Sequence, residues 1–228
     1  MNSTKQALLI NSANLMGGSS EPDGFRGFGR VHLDQGMPLD GEGSLVLFVA
    51  DAASTSIPEL TLQEYRFEVN GTAGLDFRVT LSWIDPAATS FSAKQLVHDL
   101  DLAVFSPSGT RYTMWESGEP DEANVNERVI VDALDVESGT WTVSVWAKSL
   151  TTDFQTYSLV VNGAISSVTE NWVGANTSMA DSGATPSTSS NSRSKSNVKQ
   201  SSIAARASFL AVVCCTIVST LATATLRV

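Results

Sequence analysis

The side chains of this sequence best suited to chemistry are oxygen donors. Asp85, Asp99, Asp101, Asp121, Asn124 and Glu127 all fall in one stretch of the chain. Hard cations take six to eight oxygens from carboxylates, amides and carbonyls, so these six side chains form the candidate metal-ligand set, with calcium as the expected ion. Their spacing is not that of an EF-hand loop. Asp99 and Asp101 alternate with Leu100 and Leu102, which on a strand puts the acids on one face and the leucines on the other. Nucleophilic catalysis finds no support. It needs a histidine to take a proton from the nucleophile and a third group to orient that histidine. The two histidines are His32 and His98. His98 adjoins Asp99, but neighbouring strand residues point to opposite faces, so His98 reads as a turn residue. No residue is assigned a catalytic role.

The elements that must position these acids are strands. Asp99 to Phe105 alternates apolar and polar, Ser106-Pro107-Ser108-Gly109 is a turn, and Thr110 to Trp115 reads as the returning strand. An acidic, amide-rich loop, Glu116 to Glu127, leads to a strand over Arg128 to Ala133. Elsewhere Leu45 to Val49 is a short apolar run, and Tyr65, Phe67 and Val69 alternate. So do Leu75 to Trp83, with Asp76, Arg78, Thr80 and Ser82 facing water; Trp141, Val143 and Val145; and Tyr157, Leu159 and Val161. About eight strands joined by Gly, Asn, Asp and Pro turns between Gly43 and Gly163 predict an all-β sandwich or jelly roll. Its aromatics belong to the core, although an exposed Trp115 or Trp146 would suit a sugar or a protein. Before the strands, Thr4 to Asn14 reads as helix, followed by a glycine-rich run from Gly24.

The formal charge is −10. It is unevenly spread, because no acid follows Asp181 while Arg193, Lys195, Lys199, Arg206 and Arg227 do. An acidic body argues against nucleic acid as a partner. The two cysteines, Cys214 and Cys215, lie in the tail, so the body has no disulfide framework. Sequons at Asn2, Asn70 and Asn176 are candidate glycosylation sites, and Asn70-Gly71 suits a hairpin turn. The first residues do not form a secretion signal, so an extracellular protein would have its true start further upstream. Residues 166–206 are rich in Ser and Thr and predict a disordered stalk. The apolar tail, 207–228, predicts a helix directed to a membrane, either as a cleaved lipid-anchor signal or as a retained span. Together these place the protein outside the cell or on its surface.

The order of short motifs resembles the C-terminal jelly-roll domain of certain subtilisin-like serine proteases. Trp83, Asp85 and Pro86 open the pattern; Asp99-Leu100-Asp101-Leu102 and then Pro107, Gly109 and Tyr112 continue it. Asp121, Asn124 and Glu127 follow, and Gly139, Trp141, Val143 and Val145 close it. His98 stands where Asn is usual, and Val125-Asn126 breaks an Asn pair. ALLINSA followed by GFGRVHLDQGMPL is similar to the end of the catalytic domain of such enzymes. The resemblance implies four segments. Residues 1–42 end a catalytic domain, 43–165 form the jelly roll, 166–206 the stalk and 207–228 the tail. It also implies an upstream catalytic domain as partner, polypeptide substrate reached through that domain, and an Asp/His/Ser triad lying before Met1. The chain itself is expected to be inactive alone and to act as a stabilising or substrate-access domain. Asn176-Thr177-Ser178-Met179-Ala180 is similar to the family's serine motif, but no helix pattern follows it. A free-standing surface sandwich binding glycan or protein is the alternative.

Overall fold

The computed structural model describes residues 2–17, 22–38, 45–115, 117–119 and 121–173, the last four by their backbone alone. The stalk beyond Val173, the tail at 207–228, Asn176 and Ser178 lie outside the described residues. No helix among the described residues is long and apolar enough to cross a membrane.

The chain opens with helix α1, Ser3–Asn11, then a small ribbon of β1 (Ala13–Asn14) and β2 (Arg30–Val31), and a single helical turn, α2, at Leu33–Gly36. The strands that follow are β3 (Val46–Ala50), β4 (Ser56–Pro58), β5 (Leu62–Val69), β6 (Phe77–Trp83), β7 (Asp99–Phe105), β8 (Arg111–Tyr112), β9 (Asn126–Val131), β10 (Gly139–Ser149), β11 (Phe154–Gly163) and β12 (Ile165–Val173). A back sheet runs β3-β11-β6-β9, with β4 also on β11; a front sheet runs β12-β5-β10-β7-β8. Every pair is antiparallel. Setting aside β1, β2, β4 and β12, the first strand pairs with the last, and the second with the last but one. That winding is a jelly roll.

The alternation in the sequence explains the core. Phe67, Phe77, Val79, Leu81, Trp83, Leu100, Leu102, Trp141, Val143, Tyr157 and Leu159 all point between the sheets. Phe77 joins Phe67 to Trp141, with ring centroids 6.0 and 5.2 Å apart. Trp83 donates its indole N–H to His98 O at 3.1 Å, and Tyr65 and Tyr157 share a hydroxyl hydrogen bond of 2.7 Å, so these rings bury no free polar atom.

Several expectations need correction. Helix α1 stops at Asn11 because Ala13 and Asn14 turn away to pair with Val31 and Arg30. Arg78, Thr80 and Ser82 do not face water; they are buried. The cause is α1, which lies on the outer face of the back sheet. Ser3 and Thr4 each bond Ser158 Oγ at 2.8 Å, and Thr80 donates to Asn11 Oδ1 at 2.9 Å. The strand expected over Thr110 to Trp115 is only two residues long, since the Thr113 hydroxyl bonds Trp115 O and turns the chain off the edge. Strand β9 starts at Asn126 rather than Arg128, which moves Glu127 from the loop into the sheet, opposite Leu81. The sandwich does not end at residue 165: β12 pairs with β5 as far as Val173, covering what would be an open edge. His98 is not a turn residue. It is 1% exposed, with Nδ1 2.5 Å from Gln155 Oε1 and Nε2 2.9 Å from Thr151 Oγ1.

Residues 2–38 and the sandwich belong to one compact unit. Two buried arginines join them. Arg128 Nη1 donates to Ile10 O, Ala13 O and Phe28 O at 2.9, 2.8 and 3.2 Å. Its guanidinium also sits 5.1 Å from the centre of the Phe28 ring. The last carbonyls of a helix lack partners within it and carry partial negative charge, so a cation there satisfies both needs. Arg78 reaches Asn14 Oδ1 at 2.9 Å, Gln35 Oε1 at 3.0 Å and Asp76 at 2.8 Å.

Candidate acidic site

The acids of the candidate set divide into those whose oxygens are engaged and those whose oxygens are not. Asp85 accepts both Val97 N and His98 N at 2.7 Å, so its carboxylate closes the long loop before β7. Asp121 Oδ1 accepts from Ala123 N and Asn124 N, and Oδ2 from the Asn124 amide at 2.7 Å. Those two residues cap their own turn. Asp99, Asp101 and Glu127 differ: each is buried and each keeps one oxygen without a hydrogen-bond partner.

Local sequence explains how these three meet. On β7 the leucines take the core face, so Asp99 and Asp101 are turned outward, beneath the loop from Thr113. The register places Trp146 of β10 opposite Asp101, and two residues on, Lys148 lies on the same face. Glu127 comes from the other sheet. Short β8 covers only Val104 and Phe105, which leaves the amide of Leu102 free at the edge of β7. Glu127 Oε2 accepts that amide at 2.7 Å and so ties the two sheets together.

Around them is a cavity of about 160 Å³ lined by Asp101, Leu102, Arg111, Thr113, Met114, Gly118, Glu119, Glu127, Trp146 and Lys148. Its electrostatics are unbalanced. Burial, with the neighbouring Asp99 charge adding to it and Lys148 opposing, pushes the Asp101 carboxyl up to about 7. Burial drives Glu127 well above the usual carboxylate range, with Asp101 adding to it and the Leu102 N–H working against it. Cations stand at the rim: Lys94 is 3.3 Å and Lys148 3.6 Å from Asp99 Oδ2, and Lys148 also pairs with Glu122 at 2.6 Å. Neither reaches the free oxygens of Asp101 or Glu127. Among the described residues, no group of three or more His, Cys, Asp or Glu side chains is arranged to hold a metal ion.

Sequence reasoning missed Lys148 and Arg111 and took Trp146 only as a ring for sugar or protein, because their place at the cavity depends on the register of β10 and β8 against β7. The one available signal was alternation on β10, which sets Lys148 on the face of Trp146. The tryptophans considered for ligand binding are both half-buried, and Trp146 packs on Ala103 and Phe105. His32 stands at the N-cap position of α2 without a side-chain hydrogen bond to it, and His98 is held by Gln155 and Thr151; neither imidazole hydrogen-bonds a carboxylate among the described residues. Asn2 is exposed and accepts Lys5 N as a helix cap. Asn70 is exposed too, its side-chain oxygen accepting from Thr72 N and from Thr72 Oγ1 at 2.8 Å.

No protein-family model matches the chain. The chain is similar to the serine protease/ABC transporter B family protein tagA of Dictyostelium discoideum, with 25% identity over 168 residues. That match takes in 68% of this chain and 9% of the length of tagA.

Proposed function

We propose that this chain is the C-terminal β-domain of a longer, secreted or surface-anchored subtilisin-like serine endopeptidase, and that it stabilises the catalytic unit or controls substrate access rather than cutting peptides itself. The observation that carries this reading is the seating of α1. A helix that would close an upstream unit is held in a sandwich by Arg128 on the Ile10 carbonyl and on Ala13 just past its end, and by Arg78 on the Asn11 carbonyl. A sandwich that worked alone would have little use for two buried guanidinium groups spent on a short N-terminal helix. Distant similarity to a protein named as a serine protease supports the protease connection. Glycosylation at Asn2, Asn70 and Asn176, and attachment to a membrane through 207–228, belong to the same reading.

Calcium belongs to it as well. Asp101 and Glu127 are the side chains that would hold the ion, each offering a hard oxygen with no other partner. The ion supplies positive charge between buried carboxylates. Asp85 and Asp121, whose side-chain oxygens are already bonded, are dropped from the ligand set, and with them Asn124, whose side-chain amide is turned to donate to Asp121.

The test is the full transcript. An in-frame sequence upstream of Met1 carrying Asp, His and Ser triad motifs is the expected result; a transcript beginning at Met1 overturns the reading. In parallel, the purified chain should neither cleave casein nor label with a serine-directed fluorophosphonate. Labelling lost in Ser178→Ala would return the serine of the Asn176–Ala180 motif to consideration.

A further inference from the structure

The antiparallel register gathers one set of connections at one end of the sandwich. Trp83 pairs with Tyr157, Asp99 with Ser149 and Trp146 with Leu62. The loops 59–61, 84–98 and 150–153 therefore lie together, where β6 and β10 finish and β5, β7 and β11 begin. Exposed apolar side chains collect there: Phe91 is fully exposed, Ile84 60%, Phe154 56% and Leu60 43%. Among the described residues, the loops at the opposite end of the sandwich expose only Leu134 in this way. The display is held by the backbone. Leu60 and Phe91 are the two non-glycine residues with positive φ among the described residues, at 54° and 67°, a conformation that bulky side chains rarely adopt. Leu60 N donates to Ala147 O at 2.8 Å, and Phe91 rides on a turn closed by Ser92 N on Thr89 O at 3.1 Å. The base of that loop is fastened by Asp85 on Val97 N and His98 N, and Ile84 is tied beside Phe154 by the Gln155 amide, 3.2 Å from Ile84 O. Backbone strain retained at an exposed apolar residue points to a working surface, since no core packing is gained there.

We infer that this end of the sandwich seats on a lipid bilayer, with Leu60, Ile84, Phe91 and Phe154 entering the boundary between headgroups and acyl chains. The place where the chain leaves the sandwich selects that occupant. Val173, the last residue of β12, pairs with Leu62 at this same end. After residues 174–206 the sequence reaches the uncharged, apolar stretch Ala207 to Leu226. A domain tethered that near a membrane meets it at high local concentration, so side chains of little affinity suffice to seat it. Apolar side chains grouped at one site mark a surface that meets a protein or a membrane, and they hold to a membrane interface by the area they bury in it. Asp153 stands exposed among them and the chain carries a formal charge of −10. Anionic headgroups would repel that charge, so the fitting lipid is zwitterionic. The inference rests on the proposed membrane attachment through 207–228, to which it adds a second contact made by the folded domain.

Quenching by brominated lipid tests it. The full chain is reconstituted with phosphatidylcholine vesicles whose acyl chains are either plain or brominated. The readout is the emission that Phe91→Trp, and separately Leu134→Trp at the opposite end, adds to that of wild type. Brominated lipid should cut the added emission at least twofold for Phe91→Trp and leave it unchanged for Leu134→Trp. Ile84→Trp, a second probe at the same end, should be quenched as Phe91→Trp is. If the chain floats with the vesicles and neither Phe91→Trp nor Ile84→Trp is quenched, the seating of the sandwich is overturned while attachment through the tail stands. Equal quenching of Phe91→Trp and Leu134→Trp also overturns it, because the contact would then have no preferred end. So does a blue shift of Phe91→Trp emission that grows with protein concentration in detergent, which would assign this end to a second copy. A chain that does not float with vesicles removes the attachment reading, and the inference with it.

Discussion

Replacing Asp101 with asparagine is the most informative single perturbation. The carboxyl of Asp101 is raised from 3.8 to about 7, first by burial and then by the charge of Asp99. The folded protein therefore keeps a proton that the unfolded chain releases near pH 4. Stability from this group is complete below the unfolded value, falls as pH climbs through the interval, and levels off above about 7. A shift of about three units at about 1.4 kcal/mol each makes the loss on the order of 4 kcal/mol. For a unit of this size that is a fall in melting temperature of roughly 8–16 °C. Glu127 titrates in the same direction. Asp101→Asn keeps the shape and removes the charge, so in chelator at pH 8 it should melt well above wild type, and the two should converge at pH 4. Millimolar calcium should raise wild type at pH 8, because an ion that binds only the folded state stabilises it by mass action, and should do little for Asp101→Asn. The assay is a set of thermal melts from pH 4 to 8, with calcium and with chelator. If the difference between wild type and Asp101→Asn in chelator is the same at pH 4 and pH 8, the cavity is not electrostatically loaded and the reasoning is refuted.

Three further outcomes follow from the same geometry. Arg128→Ala leaves the carbonyls of Ile10, Ala13 and Phe28 without their donor; the expected cost is about 3 kcal/mol, and amides of α1 should lose exchange protection first, whereas intact protection would show that the helix is held by other contacts. A Cβ on Gly71 would lie 2.2 Å from Val136 O and 2.7 Å from Ser138 N, so Gly71→Ala should destabilise by roughly 2 kcal/mol and shift the backbone signals of 136–138; an unchanged melting temperature contradicts the tight approach. Expressed through a eukaryotic secretory pathway, the protein should shift on gels after peptide-N-glycosidase treatment, and both Asn70→Gln and Thr72→Ala should remove the same part of that shift.

How much of this was legible in the sequence depends on what each feature requires. Alternation is local, so the inward faces of β6, β7, β10 and β11 could be read directly, and with them the sandwich. The fate of outward faces is not local. Arg78, Thr80 and Ser82 look solvent-exposed by pattern, and only the return of α1 onto that face buries them. The acid set shows the same limit. Type and proximity in sequence put Asp85 and Asp121 on equal terms with Asp101 and Glu127. Hydrogen-bond bookkeeping separates them, because Asp85 and Asp121 are satisfied by amides close in the fold or the chain. The pairing of Leu102 N with Glu127 could not be foreseen, since it depends on β8 being too short to cover β7.

The sandwich buries charge of opposite sign at two places, on the outer face of the back sheet and around the cavity beside β7, and it resolves them differently. On the back, burial and the nearby charge of Arg78 lower the Arg128 guanidinium to about 10, yet it has three carbonyl partners and a ring face. A buried cation with that many acceptors is compensated. At the cavity, Asp99 and Asp101 of β7 and Glu127 reaching over from β9 each retain an oxygen with nothing to accept from, and the lysines at the rim meet Asp99 and Glu122 instead. A chain that satisfies a buried guanidinium so fully does not tolerate unpaired buried charge as a matter of course. The deficit around these acids is therefore specific to the cavity, and the two ways of meeting it make different predictions: protonation leaves stability falling with pH, and a cation removes that fall. The melts of wild type and Asp101→Asn in chelator and in calcium separate them.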